Sequence, residues 1–495
     1  MAPRTTTEEE APAMGVYTTT NPATGETVKT FPEISDAGLR ELITRSEAAY
    51  RSWRTTSLDQ RRAVLTRAAE IHRERAEELA ALLTLEMGKP AAQAQGEVGL
   101  VASIYQYYAD HVQEFMADEH LEISGPGTAV VRTEPIGPLV GIMPWNYPYY
   151  QVARFAAPNI ALGNTIILKH SRNCPQSALA IEQVLTEAGL PDGVYLNAFI
   201  SSAQVADAVA DPRVQGVSLT GSEKAGAAVA EVAGRNLTKC VLELGGSDPF
   251  IVLDDADLDT AAAAAATGRL TNAGQACSAS KRFLVQAGVY EEFVRKFVDQ
   301  MASWTPGDPT STDTKIGPLS SASAAEELDE LVKDAISQGA EVLLGGCRTD
   351  GDSAYYRPTL LGGVTPGMRV YREELFGPAG VVYRFETLED AIELANDSPY
   401  GLSSSVFTED DEKAQQIAAS LETGMVWINS TSKSAADLPF GGVKRSGFGR
   451  ELGRFGFNEF ANKKIQVYPP IMTTSLPVTE PSSMSWCAWT MSSKG

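Results

Sequence analysis

From residue 139 onward, short apolar runs alternate with stretches of helical period; the runs are residues 139–143, 165–168, 194–199, 217–219, 241–244 and 250–253. Strands spaced by helices in this way predict crossover units, and crossover units imply a parallel sheet covered on both faces. Sheets of this kind commonly serve nucleotides, so the pattern raises the prior for a nucleotide cofactor without proving one.

After Gly246 a second mixed region begins. Helical periodicity covers 261–266 and 291–302, with apolar strand candidates at 283–285 and 380–385, which predicts a second α/β domain. Upstream, one helix is expected after Ser35 and another after Ser57, whose hydroxyl and Gln60 form a capping-box pattern ahead of Val64, Leu65, Ala68 and Ile71. Two pieces stand apart: the alternating segment 120–134, with Gly125-Pro126-Gly127 at its turn, and the stretch 455–468. A lone hairpin is marginal in water, so both are expected to pair with another subunit. The division that follows is a first α/β domain from 1–119 and 141–245, a second from 246–445, an arm from 120–140 and 455–470, and a tail from 471–495.

A chain of 495 residues, 43% hydrophobic, is long enough for more than one core. Its formal net charge of -22 excludes the usual nucleic-acid or anionic-membrane binder, because too little positive charge is present to release phosphate counterions. No apolar run has the length a bilayer requires, and the first thirty residues, with Glu8, Glu9 and Glu10, carry no signal-peptide core. A cytoplasmic protein is expected. Cys174, Cys240, Cys277, Cys347 and Cys487 are far apart and odd in number, which suits reduced thiols, and four histidines without paired spacing offer no zinc cluster. The chemistry is therefore expected to be organic.

One cysteine stands out by context. In Asn272-Ala273-Gly274-Gln275-Ala276-Cys277 it follows a glycine-containing turn and precedes the small residues Ser278-Ala279-Ser280, so a thiolate there is accessible to a carbonyl carbon. A single cysteine is more often an inert buried one, and its surroundings must decide. Glu243 lies within the apolar run Val241-Leu242-Glu243-Leu244 before two glycines, and a buried carboxylate needs either a partner or a task such as general base. Pro144-Trp145-Asn146-Tyr147-Pro148 follows an apolar strand and presents an amide N–H suited to an oxyanion, although a plain turn would read the same. Leu219-Thr220-Gly221-Ser222 ends a strand and opens a helix whose free N–H groups suit a pyrophosphate.

Taken jointly, Asn146, Lys169, Thr220-Gly221-Ser222, Glu243, Cys277 and Glu374-Leu375-Phe376-Gly377-Pro378 resemble, in order and spacing, the aldehyde dehydrogenase superfamily, from about Asn21 to about Lys464. The resemblance implies that family's fold: a Rossmann-like cofactor domain, a second α/β catalytic domain and a β-hairpin oligomerisation arm, in a homodimer or homotetramer. It implies Cys277 as nucleophile, Asn146 and the Cys277 backbone N–H as oxyanion donors, and Glu243 as the base for thioester hydrolysis. It also implies Lys169 at the adenosine ribose, Gly221 and Ser222 at the pyrophosphate, Glu374 at the nicotinamide ribose and Phe376 beside the nicotinamide, with Trp145 and Leu244 also binding the cofactor. Glu451 matches a second acidic position, though a surface or interface ion pair explains it as well.

Three residues beyond Lys169, where many NAD-preferring members carry a glutamate, stands Arg172, whose guanidinium favours a 2′-phosphate. Use of both cofactors is expected, with NADP at least as good as NAD. Within the superfamily the chain is similar to bacterial succinate semialdehyde dehydrogenases, through Gln151-Val152-Ala153-Arg154-Phe155, Leu168-Lys169-His170, the stretch 244–250 and Lys281-Arg282-Phe283. That resemblance implies Arg154 as a bidentate clamp on the substrate's far carboxylate, assisted by Ser434. In Ser434-Ala435-Ala436-Asp437 an acid stands where relatives often carry a base, which leaves glutarate semialdehyde and neutral aliphatic or aromatic aldehydes as alternatives. A CoA-acylating enzyme would lack Glu243, and a non-catalytic binding protein would lack Glu243 or Cys277.

Overall fold

The computed structural model describes residues 16–349 and 353–469. The tail expected at 471–495, with Cys487, lies outside them.

Two sheets carry the molecule. In the first, six strands run in the order Gly447–Phe448, Lys239–Glu243, Gly216–Thr220, Pro138–Met143, Thr165–His170 and Tyr195–Asn197. The last five are mutually parallel, and only Gly447–Phe448 is antiparallel. Pro138–Met143 is buried at all but one position, which is why it reads as an unbroken apolar run rather than an alternation. The helix Pro148–Leu162 is buried along its whole length, between this sheet and the long helix Ala91–Phe115.

The second sheet has seven strands, in the order Glu341–Leu344, Thr359–Gly362, Ala379–Phe385, Ser280–Gln286, Asp248–Val252, Ser403–Phe407 and Met425–Ile428. All neighbours are parallel except the first pair. The apolar run at 250–253, which the spacing suggests as a further strand of the first sheet, belongs here. Spacing fixes the presence of a strand but not which sheet adopts it.

Helices Asp36–Trp53 and Leu58–Glu74 follow Ser35 and Ser57, and the capping box of Ser57 and Gln60 is present. The two segments expected to pair with another subunit pair with each other within the chain. Ala461–Tyr468 is antiparallel to Thr128–Pro135, which in turn pairs with Glu119–Leu121. The stretch 455–468 is also not all strand, because the helix Gly453–Glu459 precedes Ala461. An N-terminal hairpin, Val16–Thr20 with Thr27–Pro32, was not signalled by the apolar pattern, since its second strand is almost wholly exposed.

Candidate active site

Neighbouring parallel strands end together. Met143 pairs with His170 in register, and Thr220 pairs with Glu243, so Lys169 and the loops bearing Asn146, Ser222 and Leu244 lie at the same edge of the first sheet. The C-terminal edge of such a sheet is where its ligands bind. Cys277 arrives from the other side, on the turn between the helix Leu258–Leu270 and the strand Ser280–Gln286.

That turn is held in an uncommon shape. Asn272, Ala273 and Gly274 have φ of 56°, 53° and 72°, and a left-handed non-glycine residue costs on the order of 1 kcal/mol. Buried cations hold it there. Arg269 donates to the carbonyls of Ser280, at 3.0 Å, and Gly274. Lys281 Nζ donates to the carbonyls of Ala276, Cys277 and Ala279 at 3.0, 2.8 and 3.2 Å, and pairs with Glu374 Oε1 at 3.1 Å.

Asn146 is fixed as firmly. Its Nδ2 donates to the Gln275 carbonyl at 3.1 Å, and its own carbonyl accepts from Lys89 Nζ at 3.0 Å and Asn272 Nδ2 at 2.9 Å. Lys89 forms a fully buried ion pair with Glu97, whose Oε1 accepts from the first-turn amides of Tyr149 and Tyr150 at 2.9 and 3.0 Å. A carboxylate at a helix N-terminus is favoured by its unpaired N–H groups. The chain from Glu97 through Lys89 to Asn146 thus anchors the turn that carries the amide.

Cys277 is half-buried and lines two cavities. One, about 290 Å³, is walled by Trp145, Gly221, Ser222, Leu244, Glu374 and Phe376. The other, about 310 Å³, is walled by Tyr150, Arg154, Thr271, Lys433, Ser434 and Phe440. Asn146, Gln151 and Cys277 belong to both. The first cavity suits a nicotinamide nucleotide. Trp145 and Phe376 stand edge to face, 5.7 Å between ring centres, and Ser222 caps the helix Glu223–Asn236, whose N-terminus attracts phosphate. Glu374 Oε1 also accepts from the Gly246 amide at 3.1 Å.

Lys169 and Arg172 stand outside both linings, beside Tyr17, with ring distances of 5.7 and 6.0 Å. Burial, with Arg172 nearby, brings the Lys169 ammonium down to about 8. Arg172 forms an ion pair with Glu33.

The structure sets four residues differently from expectation. Arg154 does not offer a free bidentate fork: Nε pairs with Glu451, Nη2 donates to Thr220 Oγ1 at 3.0 Å, and Nη1 lies 3.5 Å from the Tyr150 hydroxyl. Glu451 is accordingly buried inside the protein, with Ser218 Oγ donating to it at 3.1 Å, and is no surface ion pair. Glu243 ends its strand but lines neither cavity. Its carboxylate lies against Gly441, and neither oxygen has a hydrogen-bond partner among the described residues. Asp437, which the sequence places beside the substrate, is exposed and absent from the lining, whereas Lys433 lines the second cavity.

Burial dominates the electrostatics. It pushes the Cys277 thiol up to about 12, against the pull of Arg154 and Lys281, and raises Glu243 well above the usual carboxyl range. The Cys277 thiol therefore rests protonated at neutral pH, and Arg154 is shared by Glu243 and Glu451, with Arg450 also acting on Glu243. Sequence reasoning passed over Lys89, Glu97, Arg269 and Tyr150, and gave Lys281 no role. The usable signal was Lys281-Arg282 at the head of an otherwise apolar strand, where two buried charges demand partners. Among the described residues no group of three or more His, Cys, Asp or Glu is placed to hold a metal. No helix among them is long and apolar enough to cross a membrane.

The model of the aldehyde dehydrogenase family matches residues 9–466. The chain is 55% identical over 449 residues to a succinate-semialdehyde dehydrogenase [NADP(+)] of Deinococcus radiodurans, covering 91% of this chain and 94% of that protein. It is 44% identical over 449 residues to the Mycobacterium ulcerans succinate-semialdehyde dehydrogenase [NADP(+)] 1, covering 90% and 98%. The crystal structure of succinic semialdehyde dehydrogenase from Streptococcus pyogenes in complex with NADP+ superposes with a TM-score of 0.90 at 43% identity, covering 92% of this chain and all of that one.

Proposed function

The chain belongs to the aldehyde dehydrogenase family, and on that premise we propose that it oxidises succinate semialdehyde to succinate with NADP or NAD. The observation that carries this reading is Cys277 in the common wall of two cavities, one suited to a nucleotide and one to a small aldehyde. In the proposed sequence the Cys277 thiol gives its proton to water, the sulfur bonds to the aldehyde carbon as the carbonyl π bond opens, and the oxygen's developing charge meets Asn146 Nδ2 and the Cys277 backbone N–H. A bound nicotinamide supplies the acceptor for the hydride that leaves that carbon, so that a thioester remains. Glu243, turning from Gly441 toward the sulfur, takes a proton from the water that hydrolyses it.

Trp145, Leu244 and Phe376 would wall the nicotinamide, with Glu374 on its ribose, and Gly221 and Ser222 would receive the pyrophosphate. Lys169 and Arg172 would serve the adenosine end and give NADP its hold. For the far carboxylate, Arg154 presents Nη1 alone, with the hydroxyls of Tyr150 and Ser434 beside it and Lys433 at the wall. Hydrogen bonds from several neutral and charged donors replace the bidentate clamp. We further read the exposed edge strand Ala461–Tyr468, with Ile465 and Val467 outward, as the contact that makes a homodimer or homotetramer in the cytoplasm.

The test is a substrate panel followed by the absorbance of reduced cofactor, with NADP and NAD, with and without CoA. The expected result is the highest kcat/KM for succinate semialdehyde, free acid as product, and no need for CoA. Equal or better turnover of glutarate semialdehyde or neutral aldehydes overturns the substrate, and no reduction with any aldehyde overturns the enzyme.

A further inference from the structure

At the end of the strand Thr165–His170 two cations and one acid gather beside Tyr17. Lys169 and Arg172 both face Tyr17, and Arg172 Nη2 is paired with Glu33 Oε1. The pairing is between fixed segments. The Ile34 amide donates to the Phe199 carbonyl at 2.8 Å, next to Glu33, and the Thr18 amide donates to the Arg172 carbonyl at 2.8 Å. Tyr17 itself is tied down by its hydroxyl, which donates to the Ile200 carbonyl at 2.8 Å. The carboxylate is the enclosed member, with 8% of its side chain exposed against 50% for Arg172.

A 2′-phosphate brought to this place meets a guanidinium whose charge is already matched. It also meets a second anion a few ångströms behind it, where like charges repel strongly near a protein surface. A ribose with a free 2′-hydroxyl meets no such repulsion and can donate to the carboxylate. We propose that Glu33 is a specificity-determining residue, which keeps Arg172 as its own counter-ion and thereby holds down the preference for NADP over NAD. The proposal rests on the reading of Lys169 and Arg172 as the residues at the adenosine end of the cofactor.

The test is calorimetric binding of NADP+ and of NAD+ without aldehyde, on the full-length protein and on Glu33→Gln, Arg172→Gln and the double variant. Glu33→Gln is expected to lower the Kd for NADP+ by about five- to tenfold and to move that for NAD+ by less than about twofold. In the Arg172→Gln background most of that gain should vanish. A Glu33→Ser variant repeats the measurement should Glu33→Gln not fold. If Arg172→Gln weakens NADP+ while the Glu33 variants leave it unchanged or weaken it, Glu33 has no such role and the cofactor reading stands. If Arg172→Gln leaves the Kd for NADP+ unchanged, the cofactor reading of Arg172 falls and takes this proposal with it.

Discussion

The two walls around Cys277 are built differently. On the side of Asn146 and the cysteine turn, every cation is buried and partnered: Lys89 with Glu97, Lys281 with Glu374 and three carbonyls, Arg269 with two carbonyls. On the far side of the aldehyde cavity, residues 431–436 are half-buried or exposed, and Lys433 stands in the open. Desolvated charges with fixed partners have few alternative arrangements, whereas solvated hydroxyls and a long flexible amine have many. The first wall holds the groups proposed to act on the carbonyl; the second would meet the part of an aldehyde that differs from one substrate to another. Rigidity is thus concentrated where the reaction needs fixed geometry.

Breaking the rigid wall should cost most. Lys89→Met leaves Glu97 buried beside Asn146 without its cation, an uncompensated charge worth about 3–5 kcal/mol of stability, which urea denaturation would register. A loss under 1 kcal/mol would show that the pair adds little. Asn146→Ala removes the proposed oxyanion donor and should lower kcat about 10²–10³-fold with KM little changed. Steady-state kinetics separate that from a binding defect, since a rise in KM alone would assign Asn146 to ground-state binding.

The same contrast decides what the sequence made legible. Strands buried on both faces announce themselves as apolar runs, so the parallel strands of the first sheet could be read directly. Cys277 and Asn146 could be read from turn residues and small neighbours, which are local signals. Lys89 and Glu97 could not, because what makes them matter is burial against the turn at Asn146, some fifty residues further along. Glu451 was left between two readings for the same reason: its partner Arg154 lies about three hundred residues away, and an acid within Gly449-Arg450-Glu451-Leu452-Gly453 looks like surface. Glu33, too, is an ordinary exposed-looking acid until the fold sets it beside Arg172.

Glu243 lines neither cavity, and its protonation gives a smaller, graded effect. Burial raises its carboxyl, so at low pH it is protonated and takes no proton from water; as pH rises through the raised value it becomes a base, and kcat should climb. The Cys277 thiol, at about 12, adds to the same upward trend. In Glu243→Gln the pre-steady-state release of reduced cofactor should persist, while the pH-dependent rise in steady-state turnover flattens. A rise of equal steepness in that variant would assign the dependence to the thiol alone. Above pH 8 an opposite effect enters: Lys169 loses its proton, so KM for NADP should increase.

The open wall should give least. Ser434→Ala withdraws one hydroxyl from a half-buried position next to Tyr150, and a neutral hydrogen bond there contributes about 1 kcal/mol, or about fivefold in KM for succinate semialdehyde. Because Arg154 Nη1 and Lys433 remain, water and the lysine can refill the gap, which keeps the loss near that figure. The discriminating measurement is the same variant with a neutral aldehyde of equal length, whose KM should stay within about twofold because it has no carboxylate to lose a donor. Equal losses with both aldehydes would mean that Ser434 shapes the cavity rather than reads the acid, and that the adaptable wall is less adaptable than its exposure suggests.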